Sequence, residues 1–191
     1  MRLRLRDAVA DYQHKRNNYE WRDHVMRLLT TAGAIAWLEP ESVCDPACGD
    51  ASVLAAAYRL HRFHDATLGD ISRANISGLK IDFPVTGVHC ADLFVTMQLK
   101  SWDLMVLTEV LEHVPDPEAV LRVAREHASW LVASSPIEEA ANSTNHEHIW
   151  SFGIDDYRTM LTATGWLPQS LTSLRFEYFP YAFQIWTARR G

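Results

Sequence analysis

The chain has 191 residues, of which 48% are apolar and 22% charged, a composition expected of one soluble globular domain with a sizeable core and no need of a second domain. A net charge of −6 at pH 7 excludes long-range attraction to nucleic acid or an anionic membrane, so small molecules or proteins are the expected substrates. The basic start, Met1 to Arg6, leads into no apolar core of signal-peptide length, and no window approaches a spanning helix, so a cytoplasmic protein with no membrane partner is expected.

Residues 2–18 set Arg2, Arg4, Arg6, Lys15 and Arg16 against Asp7 and Asp11, which suits a solvated helix face or a lid over substrate. From Tyr19 to Leu38 the residues Trp21, Val25, Leu28, Leu29, Ala32, Ile35 and Ala36 recur at helical spacing. Residues 1–38 are therefore expected to form a helical segment packed on a core built from 39–191. Strands are predicted at 42–45, 66–69, 85–90, 103–108 and 130–134, alternating with helices. One helix begins where Asp116 caps it, Pro117 suits its first turn and Glu118 favours its positive end. Another, near 154–164, should stop at Gly165. Runs 167–176 and 179–188 read as an antiparallel hairpin turning around Tyr178 and Pro180. The expected fold is α/β: a doubly wound, mostly parallel seven-stranded sheet with a C-terminal antiparallel hairpin and helices on both faces.

The most informative stretch is Ser42-Val43-Cys44-Asp45-Pro46-Ala47-Cys48-Gly49-Asp50-Ala51. A strand ends in an acid and a tight turn of small residues opens an alanine-rich helix near 51–61. Backbone N–H groups at such a helix start suit an anionic or dipolar ligand group. The pyrophosphate fingerprint needs three glycines; only Gly49 is present, so a ligand without pyrophosphate fits better and a nicotinamide-dependent enzyme is disfavoured. Asp70 lies twenty-five positions after Asp45, near the interval expected of a ribose-binding acid. Of the three cysteines, Cys44, Cys48 and Cys90, not all can pair, and Cys-x-x-x-Cys has no second pair to complete a zinc site, so they read as reduced thiols.

DPACGDA, followed in order by TLGDIS, HCADLF and WDLMVLTEVLEHVPDPEAVL, resembles the class I S-adenosylmethionine-dependent methyltransferases, whose sheet is Rossmann-like. The resemblance implies S-adenosyl-L-methionine as cofactor. Asp45 would lie near the methionyl ammonium, with the backbone of Ala47, Cys48 and Gly49 against the sugar and methionyl portions. Asp70 would take the ribose hydroxyls and Ile71 pack on adenine; Asp92 would accept from the adenine amino group, and Leu93 offer its N–H to the ring. Thr108 and Glu109 would close the fourth strand beneath the methionyl end. For Asp45 a turn or cap role, and for Ile71 a core role, stay open. The family also places its last strand between the fifth and the sixth.

Glu109-Val110-Leu111-Glu112-His113 brings two carboxylates and an imidazole close in sequence, and His146-Glu147-His148 follows the fifth strand. Many small-molecule methyltransferases carry Glu-x-x-Glu-His without a metal. The ubiquinone-biosynthesis O-methyltransferases and the small-RNA 3′-terminal 2′-O-methyltransferases use a similar segment and a later histidine to hold a divalent ion. The matching residues here are Glu109, Glu112, His113 and His148, a set suited to magnesium or manganese. Bound there, an ion would lower the pKa of a substrate hydroxyl. Without a metal, His113 or His148 is the candidate base, beside Glu112. Capping and packing by Glu112 and His113, with His146 and His148 in a surface loop, is the structural alternative. The interval from His113 to His148 is shorter than the RNA group's, and its substrate-holding insert is expected to be missing.

Trp150 and Phe152 are candidate walls for an acceptor pocket, and the polar run 136–145 is a candidate lid or plain solvent-exposed chain. The absence of a Pro-Pro-aromatic or Pro-Cys motif disfavours nucleic-acid base methylation. A small hydroxylated acceptor is the first expectation. An RNA 2′-hydroxyl, or a cofactor-binding regulatory subunit without its own activity, are the alternatives.

Overall fold

The computed structural model describes residues 22–137, 147–177 and 182–191. Its elements are α1 (Arg22–Trp37), β1 (Ser42–Asp45), α2 (Ser52–Leu60), β2 (Asp65–Asp70), α3 (Arg73–Gly78), β3 (Gly87–Cys90), α4 (Leu93–Met97), β4 (Trp102–Thr108), α5 (Pro117–His127), β5 (Ala128–Pro136), α6 (Ile154–Ala163), β6 (Trp166–Arg175) and β7 (Ala182–Arg190). They build a seven-stranded sheet in the order β3-β2-β1-β4-β5-β7-β6. Strands β1 to β5 are parallel, and β7 runs antiparallel between β5 and β6. The expected doubly wound sheet with its terminal hairpin is therefore present, including the last strand's insertion between its two predecessors.

Alternation along the buried strands separates two cores. Val43, Leu104, Val106, Val132 and Ile185 face the side covered by α1 and α2, with Leu28, Ala32, Ile35, Leu54, Ala57 and Phe63. Cys44, Met105, Leu107, Leu131 and Trp186 face the side covered by α4, α5 and α6, with Met97, Leu121, Ala124, Tyr157 and Leu161. A strand buried on both faces must be apolar at every position, as β4 nearly is. Strand order reverses between β1 and β4, so the chain ends leaving these two strands diverge and open a crevice above the sheet.

Local chemistry sets the helix boundaries. The Asp116 carboxylate accepts from the Ala119 N–H at 2.9 Å, and Pro117 opens α5; such a cap stabilises by about 1 kcal/mol. Gly165, at φ 84°, ends α6 as expected. Helix α2 starts one residue later than expected because Ala51 adopts a left-handed backbone (φ 59°) and serves as its N-cap. On α1, Leu29 is 49% exposed, off the face assigned to it, since Leu28, Ala32 and Ile35 already fill the contact with the sheet. The short helices α3 and α4 had no periodic signal. The arm at 2–18, Trp21, the hairpin turn at Tyr178 and Pro180, His146 and nearly all of the 136–145 run lie outside the described residues. No helix among the described residues is long and apolar enough to cross a membrane.

Candidate active site

The loop after β1 is a lattice of short-range hydrogen bonds that leaves its backbone lying over the crevice. Cys48 donates its N–H to the Gly69 carbonyl at 2.8 Å, and Gly49 donates to Asp70 Oδ2 at 2.9 Å. Gly49 sits at φ 56°, a conformation glycine adopts without a Cβ clash. The loop thus hangs from the end of β2 rather than only from its own strand. At the start of α2, Asp50 Oδ1 accepts from both the N–H and the hydroxyl of Ser52, so the first N–H of that helix is already engaged.

Asp45 is buried at the floor of this loop, and the Ala47 N–H reaches its carboxylate only at 3.4 Å. Burial pushes its pKa up to about 7; the Ala47 N–H and the Arg27 guanidinium oppose the rise, while the charges of Asp70 and Asp50 add to it. Burial also drives the Cys44 and Cys48 thiols far above their usual range. All three cysteines are unpaired, with Cys90 exposed.

Asp70, nearly buried, accepts from the N–H of Ser72 (2.7 Å) and the Asn75 amide (3.2 Å) besides Gly49. Ile71 projects from the next position and is 54% exposed, so it is a surface residue at the crevice rather than core. Asp92 caps α4, accepting from the Phe94 N–H at 2.9 Å, and Leu93 begins that helix, partly buried. Asp45, Ala47, Cys48, Gly49, Asp70, Ile71, Asp92 and Leu93 thus line the carboxyl ends of β1, β2 and β3.

Thr108 ends β4, and Glu109 turns the chain with a left-handed backbone at φ 56°, an uncommon conformation for a residue with a side chain. Its N–H donates to the Ser134 carbonyl at 3.0 Å, and the Ser134 hydroxyl donates to its Oε1 at 2.7 Å. Arg27 Nε, from α1, lies 3.9 Å from the same oxygen, in a pair shielded from solvent on both sides.

One turn further on, Glu112, His113 and His148 bring one ligand atom each to within 4.8 Å of one another. The imidazoles meet edge to face with centroids 4.6 Å apart. His113 Nδ1 lies 3.1 Å from the Glu147 carbonyl, which can only accept, so Nδ1 carries the proton and Nε2 keeps its lone pair when the ring is neutral. The Glu112 carbonyl accepts from the N–H groups of Ile149 (2.7 Å) and Trp150 (3.1 Å), which is what carries His148 back over β4. Glu109 is not part of this group: the chain assembles three of the four residues that the resemblance put together. Two imidazoles and a carboxylate, with one imidazole oriented by a backbone carbonyl, fit a divalent cation.

The core takes one of the two residues that were candidate walls of an acceptor pocket. Phe152 is buried in the core, edge-on to Tyr157, and the Trp150 indole N–H is held by the Val114 carbonyl at 2.9 Å. Conversely, Arg27, Ser134 and Tyr157 reach the site without having been singled out. For Arg27 a signal existed: it lies on the face of α1 shared by Leu28, Thr31 and Ile35, where an arginine interrupts a buried stripe. For Ser134 and Tyr157 there was none.

A Rossmann-like sheet with an acid at the end of each of its first two strands, a single-glycine loop between them and a Glu-x-x-Glu-His turn after the fourth defines a class I S-adenosylmethionine-dependent methyltransferase. A model described as a methyltransferase domain matches residues 12–171, and the chain belongs to that family. None of the curated proteins matches the chain in sequence. Among solved structures, the chain is similar to magnesium protoporphyrin IX methyltransferase from Synechocystis PCC 6803 with bound SAH: TM-score 0.70 at 18% identity, over 94% of this chain and 91% of that one. It is also similar to the methyltransferase domain of bacterial-CtHen1-C (0.68, 18%, 89% and 100%) and to the [4+2]-cyclase SpnF (0.72, 13%, 94% and 84%). At these identities the likeness is one of fold, and the cyclase shows that the fold also serves other chemistry.

Proposed function

We propose that this methyltransferase acts on a hydroxyl of a small-molecule acceptor and holds a divalent cation, magnesium or manganese, with Glu112, His113 and His148. The observation that carries the reading is the convergence of those three donors at the end of β4, beside the cofactor crevice. S-adenosylmethionine supplies the methyl group on a good leaving group, and the cation would make an acceptor hydroxyl easier to deprotonate.

The chain's own part is binding and orientation. Asp45, once ionised, is a buried countercharge for the methionyl ammonium. Asp70 accepts three hydrogen bonds already; a carboxylate has about four lone-pair sites, so ribose hydroxyls share its oxygens with the loop. The second Asp92 oxygen would accept from the adenine amino group, while Ile71 and Leu93 would supply an apolar wall and an N–H. The backbone of Ala47 to Gly49 and of Thr108 borders the methionyl portion. His113 or His148 takes the proton from the acceptor if no cation is present. Helix α1 serves as a helical segment preceding a methyltransferase domain formed by 39–191.

The charge of −6 supports a small acceptor over RNA. The three unpaired cysteines suit a reducing, cytoplasmic setting. The test is calorimetric titration of S-adenosylhomocysteine with and without Mn²⁺, with Asp70→Ala as control, followed by turnover on small hydroxylated acceptors before and after chelation. Binding lost in the variant, and turnover lost on chelation and restored by Mn²⁺, is expected. Turnover indifferent to chelation would remove the cation from the reading, and failure to bind the cofactor product would remove the site.

A further inference from the structure

We infer that Arg27 and Ser134 latch Glu109 out of the Glu112, His113 and His148 group, so that the N-terminal helix and β5 together fix the number of protein ligands offered to a cation. The inference rests on the cation reading proposed above, and concerns two residues with no other assigned role.

Glu109 is the natural fourth donor by sequence, three residues before Glu112, yet it is held twice by one residue of the neighbouring strand. Ser134, paired with Thr108 in register, accepts the Glu109 N–H through its carbonyl and donates its hydroxyl to Oε1. The two bonds fix both the backbone and the side chain, and together they hold the left-handed turn at Glu109. Arg27 brings a positive charge to the same oxygen from α1, with its side chain 3% exposed and that of Glu109 6%. A hydrogen bond to an ionised acceptor in so shielded a place is among the stronger ones a protein makes. A cation recruiting Glu109 would first have to break it and draw the carboxylate away from the Arg27 charge.

Glu109 is nevertheless near enough to matter. Burial raises the Tyr157 phenol well above its ordinary range, and the charges of Glu112 and Glu109 add to the rise. The carboxylate is thus close to the group electrically while committed elsewhere by contact. Ser134→Ala removes the side-chain bond of the latch without altering charge, while the backbone carbonyl at 134 still accepts the Glu109 N–H.

The experiment is titration of Mn²⁺ into the full chain by calorimetry for wild type, Glu112→Gln, Glu109→Gln, Ser134→Ala and the Ser134→Ala/Glu109→Gln double variant, each checked by thermal denaturation. Glu112→Gln should lower affinity by tenfold or more, and Glu109→Gln by less than about threefold, since the latched carboxylate acts only at a distance. Ser134→Ala should raise affinity by about tenfold, and the double variant should lose that gain. A purely structural serine would not increase cation affinity. The latch is overturned if Glu109→Gln costs as much as Glu112→Gln, or if Ser134→Ala has no effect or keeps its gain without Glu109. If wild type binds no Mn²⁺ with or without S-adenosylhomocysteine, the cation reading falls and the latch with it, an outcome distinct from equal binding by all the latch variants.

Discussion

The Gly49 N–H donates to Asp70 Oδ2 at 2.9 Å, tying the loop after β1 to the acid proposed for the ribose. The residue that would recognise the cofactor also shapes the loop that surrounds it. Asp70→Asn replaces an acceptor oxygen with a donor and leaves an N–H of the loop or of Ser72 facing it. It should destabilise the fold by about 1–3 kcal/mol and remove S-adenosylhomocysteine binding. Urea denaturation and calorimetry on the same sample check both; unchanged stability would mean that the loop stands without its tie.

The proton on Asp45 links pH to both stability and binding. Its folded pKa is pushed up to about 7 from 3.8, so between these values the native state holds a proton that the unfolded chain releases. The contribution to stability is fully present below about pH 3.8 and is lost as pH rises through about 7. Cofactor binding runs the other way, because the ammonium favours the ionised form. S-adenosylhomocysteine affinity should rise by up to about tenfold per pH unit below pH 7 and level off above it, with proton release on binding. Asp45→Asn should flatten the profile; calorimetry in buffers of different ionisation enthalpy counts the proton, and a count of zero at pH 6 would refute the assignment.

Gly69 has no side chain because Thr96 occupies the place. A Cβ there would lie 2.5 Å from Thr96 Oγ1 and 2.9 Å from its Cγ2, and Thr96 is fully buried in α4, with no room to turn aside. Gly69→Ala should therefore cost about 1–3 kcal/mol and, by displacing α4 and its Asp92 cap, weaken cofactor binding. Thr96→Ala in the same chain should restore most of both. Melting temperature and cofactor affinity are the readouts, and a second change that rescued neither would show that the clash is not the cause.

Tyr157 is fully buried, stacked on Trp186 at 6.1 Å and edge-on to Phe152, yet its hydroxyl has no hydrogen-bond partner among the described residues. Removing only that hydroxyl keeps the ring contacts and relieves a desolvated polar group. Tyr157→Phe should hold or raise stability, by about 1 kcal/mol, whereas Tyr157→Ala should lose about 3–5 kcal/mol. Loss of more than about 1 kcal/mol on Tyr157→Phe, measured by denaturant titration, would reveal an essential role for the oxygen.

By itself the sequence determined the alternation of strands and helices, the loop from Asp45 to Gly49, the two strand-end acids and the stop at Gly165. Each is written in neighbours along the chain: a buried strand shows as an apolar run, a tight turn as small residues, a helix end as a cap or a glycine. What only the tertiary structure decided is which of the candidate donors meet. Glu109 and Glu112 belong to one short segment and looked like partners, but Ser134 captured the first, across a parallel strand pair whose register no local pattern records. His148 joined the second because the Glu112 carbonyl receives two backbone N–H groups from the segment that follows it. Arg27 reached the centre from a helix more than eighty positions earlier in the chain, because α1 packs on α2 and on the sheet face at β5 and β7. Contacts of this kind depend on how whole elements stack to bury their apolar faces. The side chains that such stacking brings together follow from a global balance of packing, which no window of sequence contains.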